Sequence, residues 1–121
     1  TEEPTYCFLE INVRPPGLYT IDMMNYSADI SLYDMWAASF HDQHLYEDTT
    51  VKYSVGFAGR RINEHFKHSH EDIMGEFSDS VVMSEPVPGA YADAMGEFFY
   101  LVRHKDEQRV LDIIKYIIEV E

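Results

Sequence analysis

The sequence predicts an α+β fold with a mainly antiparallel sheet of four to five strands and about three helices packed on one face of it. Three observations predict this class. Several short runs alternate apolar and polar residues, other runs carry apolar residues at helical spacing, and proline or glycine separates many of them. The 121 residues, 45% of them hydrophobic, predict a single domain, 1–121, in the order β-β-α-β-α-β-β-α.

The first half of the chain predicts two strands, a helix and a third strand. Residues 6–13 alternate and end at a Pro-Pro-Gly break, and residues 18–24 alternate again as a possible hairpin partner. Ser31 is a suitable N-cap for a helix that carries Trp36 and Phe40 at four-residue spacing and ends near residue 46. Residues 51–58 alternate clearly and predict the third strand.

The second half predicts two helices and two strands. Residues 59–77 form an amphipathic helix whose apolar stripe begins at Ile62, and residues 81–83 form a short strand. Residues 85–96 contain prolines and glycines, which predict a long connection with one helical turn. Residues 97–104 have two apolar faces, which are typical of a central strand. Asp106 then caps a final helix, whose inward residues are Val110, Ile113, Ile114, Ile117 and Ile118.

Composition excludes several classes of protein. Cys7 is the single cysteine, so no intrachain disulfide can form, and a reducing compartment is expected. No apolar run approaches the roughly 20 residues that span a bilayer. We therefore expect a cytoplasmic protein that does not bind membranes. It is expected to be a monomer or a homodimer, with the final helix as the alternative dimer face.

The strongest signal is the layout of charge. The formal net charge is −13, with 22 acidic residues against 9 lysines and arginines. Neither Lys nor Arg occurs in residues 15–51 or in residues 68–102. Such a field repels nucleic-acid phosphates and attracts basic surfaces, which predicts a basic protein partner and no direct binding to nucleic acid.

The acidic blocks supply the predicted partner-binding residues, which are Asp34, Asp42, Glu47, Asp48, Asp72, Glu76 and Asp79. Asp72, Glu76 and Asp79 would form a ridge along one helix, with carboxylates spaced roughly like the phosphates of a nucleic-acid strand. We expect a non-enzymatic module, without a cofactor, that neutralises a nuclease or a nucleic-acid-binding protein. Immunity proteins, antitoxins and virus-encoded inhibitors are of this physical type. Aromatic anchors within a carboxylate rim would complete the interface, with Tyr26, Tyr33, Tyr46 and Tyr91 as candidates.

Histidines carry the alternative hypothesis. His41 and His44 share one predicted helix, His65 and His68 share the next, and Asp72 follows on the same face. Neutral imidazoles with a carboxylate suit zinc or another divalent transition metal. The alternative function is therefore a small metal- or phosphate-dependent enzyme. Solvated polar-face histidines, or a pH-sensitive surface, are the competing interpretations.

A second candidate site is the string from Val55 to Ile62, with glycines at 56 and 59 before Arg60 and Arg61. A turn into a helix N-terminus beside two arginines could bind an anion through Gly59, Arg60 and Arg61. Over these eight residues the string resembles the GxxG loop of KH-type RNA-binding domains, which grips a nucleic-acid backbone. It departs from that pattern in being preceded by a strand and in belonging to an acidic chain. A strand-to-helix turn that needs glycine for steric reasons is favoured.

Overall fold

The computed structural model describes residues 10, 16–41, 45 and 48–121. Over these residues the fold is α+β, with a three-stranded antiparallel sheet and five helices. The helices are α1 (Thr20–Ala28), α2 (Leu32–Ser39), α3 (His70–Phe77), α4 (Gly89–Met95) and α5 (Glu107–Ile117). The strands are β1 (Ser54–Arg60), β2 (Val81–Pro86) and β3 (Phe98–His104). The class is as predicted, whereas the number of strands and the order of the elements differ.

The sheet has the order β1-β3-β2, and both outer strands run antiparallel to β3. β1 and β2 are therefore parallel to each other with β3 between them, which is a split β-α-β arrangement. A β-bulge between Val81 and Met83 shifts the register of β2 on β3. The four residues from Phe99 to Val102 are at most 1% exposed. The prediction that this strand is central is confirmed.

Both faces of the sheet are covered. On one face, α3 and α5 bury Ile73, Phe77, Val110, Ile113 and Ile117 against Ala58, Tyr100 and Val102. On the other face, residues of α1 and α4 pack around Val87, Phe99 and Leu101. The expected placement of all helices on one face is wrong, because the two apolar faces of β3 each need a layer of helices to exclude water.

Two glycines of β1 let helices approach opposite faces of the sheet. A Cβ at Gly56 would lie 2.4 Å from Cδ1 of Ile114 in α5, and one at Gly59 would lie 2.0 Å from the carbonyl oxygen of Met95 in α4. Residues three apart in a strand point to opposite faces, in agreement with these contacts. The predicted GxxG turn is wrong, because both glycines lie within β1.

The helix α1 occupies a segment where a second strand was expected. Residues 18–24 lead into and form α1, with Met23 and Tyr26 packed towards the sheet and Ala28 buried. A run of seven residues fits both the strand and the helix period, so alternation alone could not decide. Apart from residue 10, the strand expected at 6–13 lies outside the described residues.

The following helix begins as predicted and ends earlier. The Ser31 side chain accepts a hydrogen bond from the amide of Asp34 and caps α2, which confirms the predicted start. α2 ends at Ser39 rather than near residue 46. Residues 42–44 and 46–47, which the prediction included, lie outside the described part.

The long helix expected at 59–77 is reduced to α3. β1 continues to Arg60, and Ser69 forms a capping box with Asp72, so the helix begins at His70. Ile62, one member of the predicted apolar stripe, is 85% exposed.

The remaining predictions hold more closely. The short strand at 81–83 is part of β2, the predicted turn within 85–96 is α4, and Asp106 caps α5 by accepting from the Gln108 amide. Ile118 is the exception, because it follows α5 and is exposed rather than inward.

Candidate functional site

An apolar groove of about 630 Å³ lies between α1 and α2. Its floor is Ile21, which is buried, and its walls are mainly side chains of the two helices. The helical wall residues are Met24 from α1 and Leu32, Tyr33, Met35, Trp36 and Ser39 from α2. A groove of this size and apolarity falls within the range of binding sites in proteins.

The sequences of the two helices explain the groove. Leu32, Met35, Trp36 and Ser39 follow the spacing i, i+3, i+4, i+7, which places them on one face of α2. α1 contacts the sheet through Met23 and Tyr26, so Met24 remains available on the α2 side. α1 is thus a middle layer, with the sheet on one side and the groove on the other.

Polar contacts fix this pair of helices on the sheet. The Asn25 side chain accepts a hydrogen bond from the Leu32 amide at 2.8 Å and joins the two helices. Asp29 ends α1 in the left-handed region, and its carboxylate pairs with Arg103 of β3 at 2.6 Å. The same guanidinium donates to the Tyr26 carbonyl. The groove is therefore anchored to the central strand.

The rim of the groove carries a carboxylate. The hydroxyl of Tyr33, which lines the groove, donates to the Asp22 carboxylate across the two helices, whereas the exposed Asp34 lies on the opposite face of α2. Desolvation and the charge of Asp22 raise the pKa of Tyr33, so its hydroxyl stays neutral at physiological pH. Residues 15–51 contain neither Lys nor Arg, so this stretch supplies no cation of its own to the rim.

Large aromatic side chains of α2 and its C-cap are open to solvent. Tyr33, Trp36 and Phe40 are all exposed, and Phe40 is 72% exposed. Trp36 and Phe40 meet edge to face with centroids 5.8 Å apart. Contiguous exposed aromatic surface of this kind marks interaction sites in soluble proteins.

The tyrosines expected as anchors have different outcomes. Tyr33 and Tyr91 are exposed, whereas Tyr26 packs against the sheet, and Tyr46 lies outside the described residues. Trp36 and Phe40 were not among the anchors predicted from the sequence. Their four-residue spacing was the available signal, and it indicated a helical stripe without showing that the stripe is uncovered.

The predicted acidic residues lie in separate parts of the fold. Asp34 belongs to α2, whereas Asp72 and Glu76 lie one turn apart on α3, and Asp79 follows that helix. Asp48 accepts a hydrogen bond from the amide of Thr50, and side-chain and backbone hydrogen bonds from Thr50 lower its pKa. Asp42 and Glu47 lie outside the described residues.

The ridge on α3 has other tasks and other neighbours. Asp72 accepts hydrogen bonds from the amide and hydroxyl of Ser69, which lower its pKa. Glu76 and Asp79 border a polar cleft of about 570 Å³. The basic residues of that cleft are Arg103, Lys105 and Arg109, with His104 beside them. The carboxylates of the ridge therefore share their surroundings with cations, unlike those around the groove.

The predicted metal residues are dispersed among other contacts. His68 stacks on Tyr116 with centroids 3.5 Å apart, and its Nε2 lies 3.1 Å from a Glu119 carboxylate oxygen. His41 and His65 are exposed, and His44 lies outside the described residues. Within the described ranges, no three His, Cys, Asp or Glu side chains are grouped so that they could hold a metal ion.

The predicted anion site lacks the helix N-terminus on which it depended. Gly59 and Arg60 lie in β1, and Arg60 donates from Nε and Nη2 to the Ile117 carbonyl at the end of α5. Its guanidinium also lies 4.4 Å from the centre of the Phe66 ring, and burial lowers its pKa. Arg61 donates to the Asp93 carbonyl at 3.0 Å. Both guanidinium groups thus bind main-chain oxygens.

No helix in the described part of the chain has the length and apolarity needed to cross a bilayer. Comparison of the chain with protein-family models, with curated proteins and with solved structures finds no match. The class that fold and site define is an acidic α+β protein with an apolar groove open to solvent.

Proposed function

We propose that this chain is an acidic protein-binding module that neutralises a basic partner, such as a nuclease or a nucleic-acid-binding protein. One observation carries the proposal. The apolar groove between α1 and α2 is lined by exposed aromatic side chains and lies in a stretch of sequence that has acids and no Lys or Arg. Apolar surface combined with charge of one sign favours a partner of the opposite sign.

The two properties act at different stages of binding. The net charge of −13 accelerates the encounter with a basic protein, and this effect weakens as salt screens it. Burial of Trp36 and its aromatic neighbours then supplies the affinity, because tryptophan and tyrosine in desolvated pockets dominate interface energetics. Asp22 at the rim orients a cationic group of the partner, and the exposed Asp34 on the opposite face of α2 contributes to steering.

Nucleic-acid mimicry is the finer form of this proposal. Asp72 and Glu76, exposed and one turn apart on α3, are spaced in a way that supports it. Cationic side chains of the neighbouring cleft reduce the negative charge of this surface. We therefore propose that the ridge on α3 steers the partner and that the groove forms the main contact with it.

The test compares variants of the whole chain in capture from host lysate at low salt, followed by kinetics with the purified partner. Trp36→Ala is the groove variant, and Tyr91→Ala on α4 is the matched control because Tyr91 is also an exposed aromatic residue. Loss of a central aromatic anchor costs about 2 kcal/mol, so Trp36→Ala should weaken binding roughly 30-fold. Asp34→Lys should slow association and flatten its salt dependence.

Two results would contradict the proposal. One is a captured partner that binds Trp36→Ala and Tyr91→Ala with equal affinity. The other is an association rate that does not depend on salt.

A further inference from the structure

We infer that the groove receives an amphipathic α-helix of the basic partner, with large apolar residues facing the groove and Lys or Arg at its flanks. This inference rests on the proposed function and names the element that is recognised. Three properties of the groove support this inference: the hydrogen bonding of its main chain, its length and the charge of its rim.

The walls of the groove present side chains rather than main-chain groups that are free to form hydrogen bonds with a ligand. Both walls are helices, whose interior amides and carbonyls are bonded within the helix. The polar side chains of the lining are already donating, Ser39 to the Trp36 carbonyl and Tyr33 to Asp22. An extended peptide would bury unpaired amides and carbonyls here, at a cost of about 1–3 kcal/mol each. A helix satisfies its own main chain, so its burial carries no such cost.

One wall of the groove is about two helical turns long. The lining of α2 runs from Leu32 to Ser39, which corresponds to about 10 Å at 1.5 Å per residue. An occupant of the same length presents three or four side chains at i, i+3, i+4 and i+7. The lining of α2 follows that spacing too, from Leu32 to Ser39, so the two rows can interdigitate as ridges in grooves.

The rim specifies the flanks of the occupant. Asp22 borders the apolar lining through its hydrogen bond with Tyr33, and the stretch 15–51, to which both walls belong, contains neither Lys nor Arg to neutralise it. Lys and Arg can lay their aliphatic stems along an apolar wall and carry the charge to its edge. A helix with Lys or Arg beside its apolar stripe therefore complements the rim.

Trp36 gives a direct readout, because it is the single tryptophan of the chain and lines the groove. The probe is an 18-residue peptide of leucine and lysine with leucine at helical spacing. Its control has the same composition with leucine at every second position, which favours a strand. We expect the helical peptide to shift Trp36 emission to the blue and to bind at least 10-fold more tightly than the control.

Two lysine variants control for charge. Met24→Lys alters the groove, and Leu111→Lys alters the outer face of α5; the two residues are 45% and 44% exposed. Both variants change the net charge equally, so nonspecific attraction weakens equally. We expect Met24→Lys to weaken the helical peptide at least 10-fold and Leu111→Lys to change its affinity less than 3-fold.

The outcomes separate the inference from the proposed function. The strand-forming peptide could bind more strongly, with the same Trp36 shift and the same loss of affinity in Met24→Lys. That result would overturn the inference of a helical occupant, while the proposed binding of a basic partner in the groove would stand. Absence of any Trp36 shift with either peptide would overturn the inference, and capture of the natural partner would then decide the function alone. A dimer of the chain that Met24→Lys dissociates would assign the groove to a second copy and also overturn the inference.

Discussion

Replacing Gly59 by alanine tests the close packing of α4 on β1, at a position where the sequence predicted a turn. An alanine in mid-strand normally raises stability by about 0.5–1 kcal/mol relative to glycine. At this position the added Cβ would lie 2.0 Å from the Met95 carbonyl oxygen, whereas ordinary contact begins at 3.4 Å. The obstacle is main chain, so β1 and the end of α4 must separate by more than an ångström.

The size of the effect follows from the cost of overpacking, which is typically about 1–3 kcal/mol. Because α4 cannot yield by turning a side chain, we expect the upper part of that range. A loss of about 2–3 kcal/mol lowers the melting temperature of a domain of this size by roughly 10 °C.

The matched control is Gly75→Ala in α3, where an added Cβ meets nothing within 4 Å. The helical position should gain about 0.5–1 kcal/mol, so the two variants should shift in opposite directions. Thermal melts and denaturant titrations of both measure the difference. A Gly59→Ala protein that melts at or above the wild-type temperature would refute the close approach of α4.

Three further predictions concern the polar contacts that end and begin helices. Arg60→Met should destabilise the fold by about 1–3 kcal/mol in denaturant titration, because the Ile117 carbonyl loses its donor; an unchanged midpoint would contradict this contact. Ser69→Ala should lower the free energy of unfolding by about 1 kcal/mol, because it removes the N-cap of α3. Circular dichroism should show this as a melting transition at lower temperature. Glu119 has a pKa lowered by hydrogen bonds from Lys67 and His68, so its contribution is present at neutral pH and is lost as pH falls through the range below 4.5. Glu119→Gln should therefore lower the melting temperature more at pH 7 than at pH 3, and an equal difference at both would exclude the ion pair.

Local signals in the sequence were sufficient for part of the fold. Asp106 and Ser31 were identified as helix caps because the capping hydrogen bond involves residues two or three positions away. The two apolar faces of residues 98–104 were sufficient to place β3 in the centre of the sheet. These features depend on neighbours in the chain or on the burial of one short segment.

Other features depend on contacts between distant residues and were missed. The glycines of β1 were interpreted as a turn, because nothing local shows that Met95 and Ile114 would approach them. Ile62 fitted the apolar stripe of a helix, and the capping box at Ser69 places it outside that helix.

The groove shows the same limit. The spacing of Trp36 and Phe40 predicts an apolar face of a helix. Whether that face is covered depends on where α1 places α2, so only the three-dimensional arrangement identifies the aromatic surface as a candidate site.

The central place of β3 constrains how the sheet can assemble. β1 and β2 do not pair with each other, so each can complete its pairing only when residues 98–104 are available. α1 and α2 join through contacts between near neighbours, so this pair can form before the sheet. Until β3 inserts, the edges of both outer strands stay unpaired and prone to intermolecular association. Substitutions within β3 should therefore lower the yield of soluble protein more than their effect on equilibrium stability suggests.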